Sequence, residues 1–137
     1  MARGVELREM HPIFENGFNN HDLDSVLQLY GPDTTMVLMD GTTVRGVEAI
    51  RASLEVLFGV PGRMAMRTRY VIEADDLALL SCTWTLTVGE DVMSAVTAEV
   101  ARREAEGGWR YLIDHPYAGL EPAGTGETAQ TETTPQT

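Results

Sequence analysis

Two carboxylates stand where they could move protons. Glu99 lies in the apolar run AVTAEVARR and Asp114 in WRYLIDHPY, on either side of a Glu104–Gly108 turn. Folding the chain about that turn sets Glu99 opposite Asp114, Ala101 opposite Leu112 and Arg103 opposite Arg110. Directly opposed carboxylates repel, so either one keeps its proton or both share an arginine. A pair of this kind is a general acid–base device. A purely structural alternative is an ion pair with Arg67 or Arg69 from a preceding strand, and a one-residue register change would remove the pairing altogether. His115, just before Pro116 at the end of the same strand, joins the candidates because histidine is the commonest acid–base residue. Asp40, in the Asp40-Gly41 turn, is a further possible base. His11 before Pro12 and His21 beside Asp22 read as local structure.

Other chemistries are excluded by what the chain lacks. All 10 basic residues are arginine. Without lysine there is no Schiff base, no covalently held pyridoxal phosphate and no P-loop. Cys82 is the single cysteine, so neither an intrachain disulfide nor a cysteine-rich zinc site can form. In LLSCTWTLTV it alternates with Trp84 and Leu86 and reads as a buried, inert thiol. The histidines show no metal-ligand spacing, and neither a metal nor a cofactor is expected. A formal charge of −11 argues against nucleic acid and against an anionic membrane surface as partners, and it favours solubility. The opening MARGVELREM lacks the apolar core of a signal peptide and no run approaches membrane-spanning length, so a cytoplasmic location is expected.

The elements that must position these residues follow from pattern. Met10, Ile13, Phe14, Gly17 and Phe18 predict a first helix over residues 5–20, which Pro12 either starts or kinks. Asp22 caps a second helix whose Leu23, Val26, Leu27 and Tyr30 fall at i, i+3, i+4 and i+7; Gly31-Pro32 stops it. Residues 34–39 form a strand, Asp40-Gly41 a hairpin turn and residues 42–44 a short return strand. A third helix runs over 47–58 and ends at Gly59 and Pro61. Residues 63–73, 77–88, 92–103 and 109–117 are β-rich runs separated by turns. Three N-terminal helices followed by a long meander indicate an α+β domain over residues 1–118, with the helices on one face of a curved, mostly antiparallel sheet. Residues 119–137, GLEPAGTGETAQTETTPQT, hold one large apolar residue and predict a solvated tail.

That order of elements resembles the nuclear transport factor 2-like superfamily, in its ketosteroid-isomerase and polyketide-cyclase (SnoaL-like) group. HDLDSVLQLYGPDTTMVLMDGTTVRGVEAI resembles the second helix, first hairpin and third-helix start, and EVARREAEGGWRYLIDHPYAG the last hairpin. The resemblance covers residues 5–118 and implies a cone-shaped, cystatin-like roll. In ketosteroid isomerase a tyrosine, a base aspartate and a protonated aspartate do the chemistry. A gapless carry-over places these roles at Phe14, Leu38 and Glu99, so only the late acid survives and the isomerase mechanism is not supported. The resemblance points Glu99 into a pocket and keeps the cone open. Phe14, Phe18, Leu38, Met66, Trp84, Leu86 and Leu112 then line a site for a small apolar molecule, or else fill a solid core. Two functions stay open: a small-molecule binder or cofactor-free enzyme of isomerase, cyclase or dehydratase type, and a non-catalytic association module. Val100, Tyr111 and Ile113, expected on the outer sheet face, look too apolar for solvent and predict a homodimer.

Overall fold

The computed structural model describes residues 4–119, and the expected tail from 120 onward lies outside the described residues. A 3-10 turn at Leu7–Glu9 leads into α1 (Met10–Asn19), followed by α2 (Leu23–Leu27) and later α3 (Val47–Phe58). Pro12 sits in the first turn of α1, where its missing N–H costs no helical hydrogen bond. The Asp22 side chain caps α2 by accepting from the Ser25 N–H at 3.3 Å. In α3, Ile50, Leu54 and Phe58 recur every four residues and are buried, which presses one stripe of the helix onto the core.

Among the described residues, seven strands form one sheet: β1 (Tyr30–Val37), β2 (Thr43–Arg45), β3 (Arg63–Ala74), β4 (Leu77–Val88), β5 (Asp91–Val96), β6 (Ala98–Arg103) and β7 (Trp109–His115). Their order is β2-β1-β7-β6-β4-β3, with β5 paired to β4. Among these described strands, β1 and β7 alone pair in parallel. The architecture is therefore α+β, with the helices on a curved and mostly antiparallel sheet. No helix among the described residues is long and apolar enough to cross a membrane.

Two elements differ from expectation. Tyr30 is not the end of the second helix but the start of β1, and Gly31-Pro32 lies inside that strand. The ladder tolerates Pro32 because β1 is irregular there: Tyr30 pairs with Tyr111, and the next rung is Thr35 with Ile113. The Thr34 hydroxyl fills the gap, receiving the Gly31 N–H at 2.9 Å and donating to the Tyr111 carbonyl. The run 92–103 is two strands broken at Thr97. There the Cys82 N–H donates to the Thr97 hydroxyl at 2.9 Å instead of to a carbonyl. β4 thus serves β5 along Thr83–Val88 and β6 along Leu77–Leu80.

α1 lies over β3, an edge strand whose free groups need partners. Asn19 receives the Met64 N–H and donates to the Met64 carbonyl, both at 2.8 Å, and Glu15 receives the Met66 N–H at 2.8 Å. Phe18 is buried beneath α1 with its ring edge-on to Phe58, centroids 5.3 Å apart. Burying a side chain of that size contributes roughly 2–3 kcal/mol.

Candidate functional site

Between α1, the end of α3 and the concave face of the sheet lies a cavity of about 180 Å³. Its wall is apolar: Phe14 from α1, Leu57 and Val60 at the end of α3, Met64 and Met66 from β3, and Trp84 and Leu86 from β4. Met39 and Met93 stand at its exposed edge. The polar groups are few. His11, Thr97, Glu99, Tyr111, Asp114 and Tyr117 supply them.

Glu99 on β6 is directly opposite Asp114 on β7. Both are almost fully buried, at 3% and 4% exposure. Each has its own polar partner: the Glu99 carboxylate lies 2.8 Å from His11 Nε2, and Asp114 receives the Tyr30 hydroxyl at 2.7 Å. The other imidazole nitrogen, Nδ1, lies 2.8 Å from the Thr68 hydroxyl. A neutral His11 that donates from Nε2 to Glu99 leaves Nδ1 to accept from Thr68; an imidazolium donates to both.

Burial, and then the Glu99 charge across the ladder, push Asp114 up to about 7, against a smaller opposing pull from the Tyr30 hydrogen bond. Near neutral pH a substantial fraction of Asp114 is therefore a carboxylic acid able to donate a hydrogen bond. Burial first, and the two nearby carboxylates after it, hold Tyr30 and Tyr111 well above the ordinary phenol range, so both remain O–H donors. Burial likewise pushes the Cys82 thiol up to about 12, which removes it as a nucleophile at neutral pH.

The last hairpin carries the detail that sequence pattern missed. Glu99 faces Asp114 as expected, but beyond Val100–Ile113 the ladder slips by one residue. Ala101 meets Tyr111, and Arg103 meets Trp109 instead of Arg110. Leu112 is the extra residue, a β-bulge. It turns Tyr111 inward, buried at 4% exposure, instead of leaving it on the outer face. Leu112 itself borders a small polar cleft with Asp33, Arg102 and Arg110, away from the apolar cavity.

The remaining candidates divide by place. Phe14, Met66, Trp84 and Leu86 line the cavity. Phe18 is core packing against Phe58, and Leu38 is half-buried against the core; it is the next residue, Met39, that reaches the cavity. Asp40 is exposed in its turn, where the hydroxyl and N–H of Thr42 hold its carboxyl below the usual range. His115 follows Asp114 by one residue, off the cavity, and its Nδ1 has no hydrogen-bond partner among the described residues. Arg67 and Arg69 form no described ion pair with either acid, and Arg69 donates instead to the Ser81 hydroxyl at 2.9 Å.

His11, Tyr30 and Tyr111 were not singled out from sequence for the site. For His11 a signal existed: with Phe14 and Phe18 it falls at i, i+3 and i+7, the inward stripe of α1. Tyr30 was hidden by the helix-like spacing before it, and Tyr111 by the bulge after it.

A family model described as SnoaL-like domain matches residues 13–115. No curated protein matches. Among solved structures, the chain is similar to a proposed calcium/calmodulin-dependent protein kinase type II association domain from Thiobacillus denitrificans, at 20% identity, covering 88% of this chain and 100% of that one, with a TM-score of 0.73. It is similar to a ketosteroid isomerase-like protein from Erwinia carotovora atroseptica at 18% identity, covering 85% and 95%, with a TM-score of 0.67. It is also similar to an LEH-like epoxide hydrolase from M. tuberculosis at 17% identity, covering 80% and 75%, with a TM-score of 0.60. At these identities the structural likeness speaks for the fold alone. The chain belongs to the SnoaL-like domain family, and its fold is that of nuclear transport factor 2-like proteins.

Proposed function

We propose that this SnoaL-like chain is an enzyme that moves a proton, without a cofactor, on a small and mostly apolar molecule bound in its cavity. The observation that carries this is the buried rung Glu99–Asp114, in which each acid has a separate polar partner and both border an apolar space. An apolar protein cavity of about 150 Å³ accepts benzene, so about 180 Å³ suits a molecule of one substituted ring and is too small to enclose a steroid.

The roles follow from the environments. Asp114, held partly protonated, donates to a carbonyl or a departing hydroxyl. Glu99, oriented by His11, takes the proton from the adjacent carbon. Returning that proton to a neighbouring carbon completes an isomerisation; loss of the hydroxyl with the Asp114 proton, as water, completes a dehydration. Structural relatives with isomerase-like and epoxide hydrolase names support small-molecule chemistry in this fold.

A panel of neutral single-ring ketones, screened by thermal shift and then incubated in heavy water, tests the assignment. Binders should raise the melting temperature and exchange the hydrogen next to their carbonyl faster with the protein than without it. Glu99→Gln should abolish that exchange while binding persists. A panel in which nothing binds sinks the reading.

A second function is favoured by one observation of its own. On the outer sheet face Ile113, Val100, Leu79 and Ile72 form an unbroken row across four strands. Ile113, Leu79 and Ile72 are exposed at 42%, 40% and 55%. We read this row as the contact of a homodimer, whether or not the cavity is catalytic.

A further inference from the structure

The Glu99–His11 pair has a third neighbour that proton transfer does not use. His11, Cys82 and Glu99 each offer one ligand atom, all lie within 4.8 Å of one another, and all three residues are buried. No ligand spacing is visible along the chain because the three come from α1, β4 and β6. The sheet brings them together. Glu99 pairs with Leu80, two residues before Cys82 on the same face of β4, and α1 sets His11 above them.

We propose that His11, Cys82 and Glu99 form a three-ligand site for a thiophilic divalent cation of the zinc type. The donor set is one imidazole nitrogen, one sulfur and one carboxylate oxygen, the mixture zinc accepts. Bonds of about 2.0 Å at a tetrahedral angle place nitrogen and oxygen about 3.3 Å apart. His11 Nε2 and Glu99 Oε1, at 2.8 Å, need to part only slightly. The supporting groups are also in place. A metal-bound imidazole needs an oxygen for its other N–H, and the Thr68 hydroxyl lies 2.8 Å from Nδ1. The Thr97 hydroxyl donates to Cys82 Sγ at 3.7 Å. Glu99 and His11 both border the cavity, so a cation held by the three would lie beside the ligand space, and three-ligand zinc sites keep a fourth position for water or substrate.

Protons and charge balance. Binding displaces the Cys82 thiol proton to solvent and moves the imidazole proton from Nε2 to Nδ1, where it donates to Thr68. One thiolate and one carboxylate then offset the two positive charges, so the buried site closes neutral. Metal capture excludes the proton-transfer state, because the cation takes the Glu99 oxygen and the His11 nitrogen that the acid–base pair uses. The proposal therefore extends beyond that function and can fail without it.

Chelator-stripped full-length protein, kept reduced, would be titrated with Co²⁺ and then with Zn²⁺. Cys82 is the only cysteine, so a thiolate-to-cobalt charge-transfer band reports on it alone. The band should saturate at one equivalent, disappear on adding one equivalent of Zn²⁺, and be absent in Cys82→Ser. His11→Gln should weaken cobalt binding by about tenfold or more. Zn²⁺ should raise the melting temperature of the wild type and not that of Cys82→Ser, which decides the matter even if His11→Gln fails to fold. No band at saturating cobalt, unchanged affinity in His11→Gln, or an equal zinc shift in wild type and Cys82→Ser would each overturn the site.

Discussion

Two adjacent rungs of the sheet face opposite ways and contradict the usual sorting of residues. On the concave side run Asp114, Glu99, Leu80 and Val71; on the convex side, one residue along, run Ile113, Val100, Leu79 and Ile72. The inner rung buries two acids, and the outer one is wholly apolar with three of its four members exposed. A row chosen for stability alone would exchange them, since burying a carboxylate costs free energy and exposing isoleucine gains none. The contrast is what the two proposed functions rest on, one for each rung. In that reading the inner one supplies the proton-carrying groups and the outer one the contact with a second copy.

The largest effect should come from taking the charge out of the inner rung. Glu99→Gln keeps the shape and the acceptor for His11 but cannot take a proton. In chelator-treated protein it should cut proton transfer by about a hundredfold or more, with stability at pH 7 unchanged or slightly higher. A variant that keeps its rate would show that the rung is structural.

Next in size is the pH dependence of stability. Asp114 titrates at about 7 in the folded protein against an ordinary 3.8. A raised carboxyl pKa means that the folded state holds the proton more tightly. Stability linked to Asp114 is then fully present below pH 4 and falls as pH rises from about 4 to 7. Asp114→Asn should remove that fall and leave the variant the more stable above pH 7 by up to about 4 kcal/mol. Parallel melting curves for wild type and variant across this window would contradict the assignment, as would an Asp114 carboxyl that titrates near 4 by NMR.

The outer rung answers to a different substitution. Leu79→Arg places a charge in the middle of the apolar row and should convert a dimer into a monomer by light scattering, with the cavity and its ligand binding intact. Wild-type protein that is monomeric at micromolar concentration would count against the dimer from the start. The smallest effect belongs to Asp40, which is exposed and bonded within its own turn. Asp40→Asn should leave the proton-transfer rate within about twofold. A larger loss would return Asp40 to the list of bases.

How much of this was legible beforehand depended on the range of the contact. α3 follows from its own periodicity and its Gly59 stop, and the Glu99–Asp114 rung from the hairpin turn beside it. The His11–Glu99 bond joins residues 88 apart in sequence, and no local pattern announces a partner at that distance. Tyr30 fitted the spacing of α2, yet it pairs with Tyr111 in the sheet and donates to Asp114. Tertiary pairing overrode a weak helical preference. Alternation failed in the last strand for a related reason, since a strict period of two cannot foresee an added residue.

That added residue makes the site a matter of parity. Tyr111 and Asp114 are an odd number of positions apart, so an unbroken strand would send them to opposite faces. The extra step at Leu112 lets both look inward. The side chain of Leu112 contributes little to this, and many replacements there would leave the cavity as it is. What the cavity depends on is that this residue stays outside the pairing and is not counted in the alternation. A one-residue deletion at 112 would leave Tyr111 and Asp114 two positions apart in an unbroken strand and both still inward, whereas a pairing that took Leu112 into the ladder would turn either the phenol or the acid to the outside. Across related chains, a last strand one residue shorter and unbulged is therefore as compatible with this cavity as the present one, while a strand of this length paired without the bulge is not.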